Sequence, residues 1–132
     1  DGINNDYEKK LGFDPRDNGE IDWFLVTVRI IGAALVVPVM EELFWRSFLM
    51  RWIEHPNFLT VNPAQVGIKA FGIAAALFAL AHSLWLAGLF AGIVYGLLYT
   101  RSRTLWLPIL AHGVTNAVLG IWIVVTGNWG FW

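Results

Sequence analysis

The sequence predicts an all-α fold: a polytopic membrane bundle of about four transmembrane helices. Three observations carry that expectation. Hydrophobic residues make up 57% of the 132-residue chain and charged residues only 14%, against roughly 45–50% and 25% in soluble globular domains. The 31 residues between Lys69 and Arg101, and the 29 after Arg103, contain no Asp, Glu, Lys or Arg; each run is longer than the roughly 18 residues of a membrane span. The charges are also segregated. Residues 1–22 hold seven acids and three bases, whereas the other 110 hold three acids (Glu41, Glu42, Glu54) and six bases. A short acidic extramembrane lead, 1–22, therefore precedes a membrane-embedded core, 23–132.

The elements follow in order. Helix one is expected from Trp23 to Ile53, with Pro38 removing a backbone donor and kinking it. Asn62-Pro63 supplies an N-cap and a proline at the first helical position, opening helix two, which ends near His82. One helix of 31 residues would be about 46 Å long, well beyond the roughly 30 Å hydrocarbon core. A break near Ser83-Leu84-Trp85-Leu86 resolves this. Helix three then covers about Leu86 to Thr100 and helix four about Leu105 to Thr126, and the tail Gly127-Asn128-Trp129-Gly130-Phe131-Trp132 reads as an interfacial aromatic anchor. Gly88, Gly92 and Gly96 line one face of helix three with small residues, which lets a neighbouring helix approach closely. Arg51, Lys69, Arg101 and Arg103 fall on one side of such a bundle, and the positive-inside rule makes that side cytoplasmic.

Composition excludes several functions. The net charge is −1 and no basic stripe is present, which argues against nucleic acid as a partner. Without cysteine there is no disulfide, thiol nucleophile or thiolate zinc site. The lead lacks the basic segment and apolar core of a signal peptide. No initiator Met opens the chain, so a longer parent protein is expected.

Ionisable groups in a bilayer cost about 2.5–3.5 kcal/mol each for Arg, Lys or Asp on insertion scales, and they mark functional candidates. Three sets occur here: Glu41-Glu42-Leu43-Phe44-Trp45-Arg46, Phe78-Ala79-Leu80-Ala81-His82 and His112-Gly113-Val114-Thr115-Asn116. Counted along the helices from the nearest base, Glu41 lies about 15 Å from Arg51, His82 about 20 Å from Lys69, and His112 at most about 17 Å from Arg101. All three sets reach one depth and are expected to form one site. Glu42 and Arg46 are i,i+4 neighbours suited to an orienting ion pair. Glu41 points about 100° away from Glu42 and is free for other work. His112 and Asn116 share a face, and Phe78 is expected to pack the site.

A carboxylate, two imidazoles and a carboxamide in a low-dielectric cavity suit hydrolysis. The carboxylate activates water, an imidazole shares the proton work, and neutral donors stabilise an oxyanion. Every Asp lies within residues 1–22, so an intramembrane aspartyl dyad is absent. No serine stands in a Gly-x-Ser-Gly setting, and His-Glu-x-x-His is missing. A zinc site of Glu41, His82 and His112 stands as the alternative. A non-catalytic membrane scaffold is the competing reading from another class.

The motifs Glu-Glu-x-x-x-Arg, Phe-x-x-x-His and His-x-x-x-Asn, in this order on successive membrane helices, resemble the CPBP family of CAAX proteases and bacteriocin-processing enzymes. The run Val36-Val37-Pro38-Val39-Met40 and the Trp-rich tail are also similar to CAAX-protease-related proteins that accompany bacterial exosortase sorting systems. The resemblance implies a multi-pass peptidase of a bacterial cell membrane, with more helices than four. It implies Glu41 as general base, His82 as water-holding partner, His112 and Asn116 as oxyanion site, and Glu42 with Arg46 as a brace. It implies a protein or peptide substrate, possible sorting-system partner proteins and, on the favoured mechanism, no cofactor.

Overall fold

The computed structural model describes residues 14–132; residues 1–13 of the acidic lead lie outside it. The rest of the lead is structured. Arg16–Asp17 (β1) pairs antiparallel with Glu20–Ile21 (β2). The turn between them is Asn18-Gly19, with φ of 50° and 87°, the two-residue hairpin turn that Asn-Gly favours. Asp22, counted in the sequence as part of the lead, is the N-cap of the first helix, accepting from the Phe24 and Leu25 amides at 3.0 and 3.1 Å.

Four long helices follow: α1, Trp23–Glu54; α2, Ile68–Leu80; α3, Trp85–Ser102; and α4, Trp106–Thr126. They run up, down, up and down. Ile30 meets Gly120 and Ala34 meets Gly113, so α1 and α4 are antiparallel; Ala79 meets Gly88 and Phe71 meets Gly96, so α2 and α3 are too. Arg51, Lys69, Arg101 and Arg103 consequently share one end of the bundle. Only 11% and 17% of the most apolar stretches of α1 and α4 are buried within the protein. Their outward faces carry Phe24, Leu35, Met40, Val118 and Val125. An exterior this apolar calls for lipid rather than water as solvent, and the fold is a helical membrane bundle.

Helix α1 alternates between two geometries. Gly32–Val36 and Leu43–Met50 are π-helical, and Val37–Glu42 between them is α-helical. The kink expected at Pro38 takes the form of the first π-helical turn, where the Val37 amide bonds to Gly32 O. That bond diverts the donor that an α-helix would give to Ala33 O, and Pro38 has no N–H for Ala34 O. Two successive carbonyls are released toward α4. Gly113 packs directly on the second: a Cβ there would lie 2.6 Å from Ala34 O. Gly113→Ala should therefore destabilise the protein by about 1–3 kcal/mol, read as a lower unfolding midpoint in detergent.

One helix boundary differs clearly from the sequence reading, the start of α2. Asn62 does act as a cap, accepting from the Ala64 amide at 3.0 Å, but it opens a 3-10 turn, Pro63–Gln65, and α2 begins only at Ile68. The intervening Gly67 is extended, and its amide is taken by Glu54 Oε2 at 2.8 Å, so the helix cannot propagate back. Helix α2 has 13 residues, and by length and composition α1 and α4 are the two helices able to cross a membrane singly among the described residues. The aromatic tail folds back after Gly127, whose φ is 71°. Trp129 is buried against Val26 and Ile123, while Phe131 stays exposed. The glycine face of α3 does what its spacing suggests: Gly88 and Gly92 lie against the backbones of Ala79 and Ala75.

Candidate active site

The three polar sets converge. Glu41 Oε2 stands 3.7 Å from His82 Nε2 and 3.8 Å from His112 Nε2. These separations exceed a direct hydrogen bond, and the buried Oε2 has no hydrogen-bond partner among the described residues. The other ring nitrogens are engaged. His82 Nδ1 lies 2.7 Å from Phe78 O; a carbonyl only accepts, so Nδ1 donates. His112 Nδ1 lies 2.9 Å from Glu42 Oε1 and donates to that carboxylate. In their neutral forms both imidazoles thus turn an Nε2 lone pair toward Glu41. Three proton acceptors facing one gap are satisfied by a bound water or a shared proton.

Behind this front lies a drier support. Glu42 is fully buried and His112 is 5% exposed at its side chain, whereas the side chains of Glu41 and His82 are 29% and 32% exposed. Glu42 Oε2 pairs with Arg46 Nε at 3.2 Å, and Arg46 Nη2 donates to Gly92 O at 3.2 Å. The guanidinium lies 4.2 Å from the centre of the Phe78 ring, a cation–π contact. Tyr95 stacks on His112 with ring centres 4.9 Å apart and planes 18° apart, and Phe78 meets the same imidazole edge-on at 6.1 Å. Asn116 Nδ2 donates to Ala33 O at 2.8 Å, the first carbonyl released by the π-helical turn. Asn116→Leu removes that donor and should cost about 1–3 kcal/mol, measured by thermal unfolding in detergent.

The six residues selected from the sequence thus meet at one place. Glu41, His82 and His112 face one another, Glu42 and Arg46 pair as spaced, and Asn116 sits one turn from His112, tied to α1. The sequence reading missed the Glu42–His112 bond and the Tyr95 clamp. Both join residues far apart in the chain. The one available signal for Tyr95 is its place beside Gly96 on the close-packed face of α3.

For zinc, the tetrahedral spacing implied by bonds of about 2.0–2.1 Å puts ligand atoms about 3.3–3.4 Å apart. Glu41 Oε2 stands wider than that from the two imidazole nitrogens, at 3.7 and 3.8 Å.

Comparison with known proteins covers this same region. Residues 23–118 match the family described as Type II CAAX prenyl endopeptidase Rce1-like. The chain belongs to that family. The match spans every residue of the converged site, from Glu41 to Asn116, and identifies the protein as a membrane protein of Rce1-like type. Among curated proteins, "Putative membrane peptidase YdiL" of Bacillus subtilis (strain 168) is 30% identical over 97 residues, which is 73% of this chain and 37% of that protein. The Rce1-like chain therefore spans little more than a third of the length of that relative. No solved structure matches it.

Proposed function

We propose that this chain is the catalytic core of an intramembrane endopeptidase, a multi-pass protein of a bacterial cell membrane that hydrolyses peptide bonds of membrane-associated proteins or peptides. The observation that carries the reading is the approach of Glu41 Oε2 to two imidazole Nε2 atoms, at 3.7 and 3.8 Å. A water held in that gap by Glu41 and His82 gives up a proton to the Glu41 carboxylate as its oxygen bonds to the scissile carbonyl carbon. The carbonyl electron pair moves onto oxygen, and this oxyanion accepts from the Asn116 amide and from Nε2 of His112 in its protonated form. Collapse restores the carbonyl and breaks the C–N bond, and the proton on Glu41 passes to the departing amine. Glu42 holds His112 in place, and Arg46 holds Glu42.

On this reading no cofactor takes part. Activity should persist in strong chelator, and the purified protein should carry far less than one zinc per chain. Stoichiometric zinc together with chelator-sensitive cleavage would transfer Glu41, His82 and His112 to a zinc mechanism instead. The family match and the relative's name support peptidase chemistry over a purely structural scaffold. The Val36–Met40 run and the Trp-rich tail favour the exosortase-associated subgroup, with sorting-system proteins as partners. The direct test compares protein N-termini by mass spectrometry in membranes carrying wild type or Glu41→Gln at equal abundance. Termini lost with Glu41→Gln establish proteolysis and name substrates; identical termini would favour the scaffold.

A further inference from the structure

Two cavities of different character flank the converged site. His82, His112, Asn116 and Leu119 form a partition that lines both. On the α1 side, a cavity of about 330 Å³ holds Glu41 and extends toward Arg29 and Trp132. On the α3 side, a cavity of about 270 Å³ is walled by Ala87, Gly88 and Ala91, with Phe131 of the tail, and Glu41 is not part of its wall. The base that would handle the water's proton thus lies on one side of the histidine pair, and a small-residue apolar wall lies on the other.

We propose, resting on the peptidase reading above, that the α3-side cavity is a substrate subsite that receives one large apolar side chain flanking the scissile peptide bond, and that Ala87 and Ala91 set the size it accepts. The cavity has room for a single side chain and none for a folded segment. No Asp, Glu, Lys or Arg lines it, so a cationic side chain placed there would lose water without meeting a carboxylate. Its floor carries His112 and Asn116, which brings a peptide held by that side chain next to the proposed oxyanion donors. The small wall residues differ in their reasons. Gly88 is fixed by packing: a Cβ there would lie 3.2 Å from His82 Cβ and 3.3 Å from Ala79 Cα. Ala87 is exposed and Ala91 half-buried; one turn apart, both present a methyl to the cavity, and neither is needed to bring α2 and α3 together in the way Gly88 and Gly92 are. Substitution there alters space in the cavity, and neither alanine belongs to the Glu41–His82–His112 front.

The test maps N-termini in membranes carrying wild type, Ala91→Phe, Ala91→Gly or Ala87→Phe at equal abundance, with Glu41→Gln as the blank. The expected result is a fixed position beside the cleavage point where wild type accepts large apolar residues. Ala91→Phe should reduce those cleavages by about tenfold or more and retain sites with Gly or Ala at that position, while Ala91→Gly keeps the large ones. Ala87→Phe, at an exposed position, supplies the same selection should Ala91→Phe fail to accumulate. Unchanged preferences in the Phe variants, or an equal loss at every site, would overturn the subsite while leaving the peptidase reading standing. No Glu41-dependent terminus in wild type would overturn the peptidase reading and the subsite with it.

Discussion

Glu41→Gln should slow peptide-bond cleavage by at least about 10²-fold, the lower end of what a positioned general base contributes, while the protein still folds and inserts. The substitution preserves shape and removes only the capacity to take a proton. The fold has little at stake in the change, because Glu41 Oε2 makes no hydrogen bond among the described residues and its side chain is 29% exposed. The amide that replaces it even offers a donor to the two Nε2 acceptors. Glu41→Asp separates charge from reach: the carboxylate persists but withdraws by one methylene, and a misplacement of about 1 Å can itself cost about 10²-fold. Rates are to be measured on a substrate identified from the membrane comparison, with unfolding midpoints in detergent for each variant. Wild-type cleavage by Glu41→Gln would remove Glu41 from the chemistry.

Arg46→Ala should be the most damaging single change to stability, about 3–5 kcal/mol. Glu42 has 0% and Arg46 3% exposure, so truncating the arginine leaves a buried carboxylate with only His112 to answer it. The same change removes the side-chain donor to Gly92 O and the cation over Phe78. Arg46→Met combined with Glu42→Gln removes both charges and keeps volume. It should recover a substantial part of the loss in unfolding midpoint, because it is the unmatched charge rather than the missing pair that destabilises. Cleavage should not recover in the double variant to the same extent, since His112 Nδ1 then donates to a neutral amide in place of a carboxylate. Equal stability of Arg46→Ala and wild type would show that the pair is not sealed from solvent.

Much of this arrangement can be read from the chain because bilayers penalise stray polarity. Glu41, Glu42, Arg46, His82, His112 and Asn116 stand out from their apolar surroundings, and simple helical spacing brings them to one depth. The break after His82 was legible for the same reason, since an uncharged run that long overshoots the hydrocarbon. What escaped was local backbone competition and distant pairing. The start of α2 moved from Pro63 to Ile68 because Glu54, 13 positions upstream of Gly67, captures its amide. The hairpin at Asn18-Gly19 carried a turn signal, overlooked within a segment read only for its charge. The bond between Glu42 and His112 joins residues 70 positions apart, and no periodicity reports such a contact.

The π-helical turn at Gly32–Val36 has a consequence for how this helix tolerates change in length. Such a turn holds one residue more than an α-helical one, so the residues on either side of it are out of phase by about 100°. Upstream, Val26 and Ile30 are docked on Ile123 and Gly120; downstream, Glu41 and Glu42 are aimed at two histidines. Deleting any single residue of Gly32–Val36 would restore regular α-helical phase and turn one of these groups away from its partners, toward lipid. Substitutions there alter packing, whereas a one-residue indel would disconnect the site from its scaffold. The number of residues between Asp22 and Glu41 is thus as much a part of the site as the identity of either carboxylate.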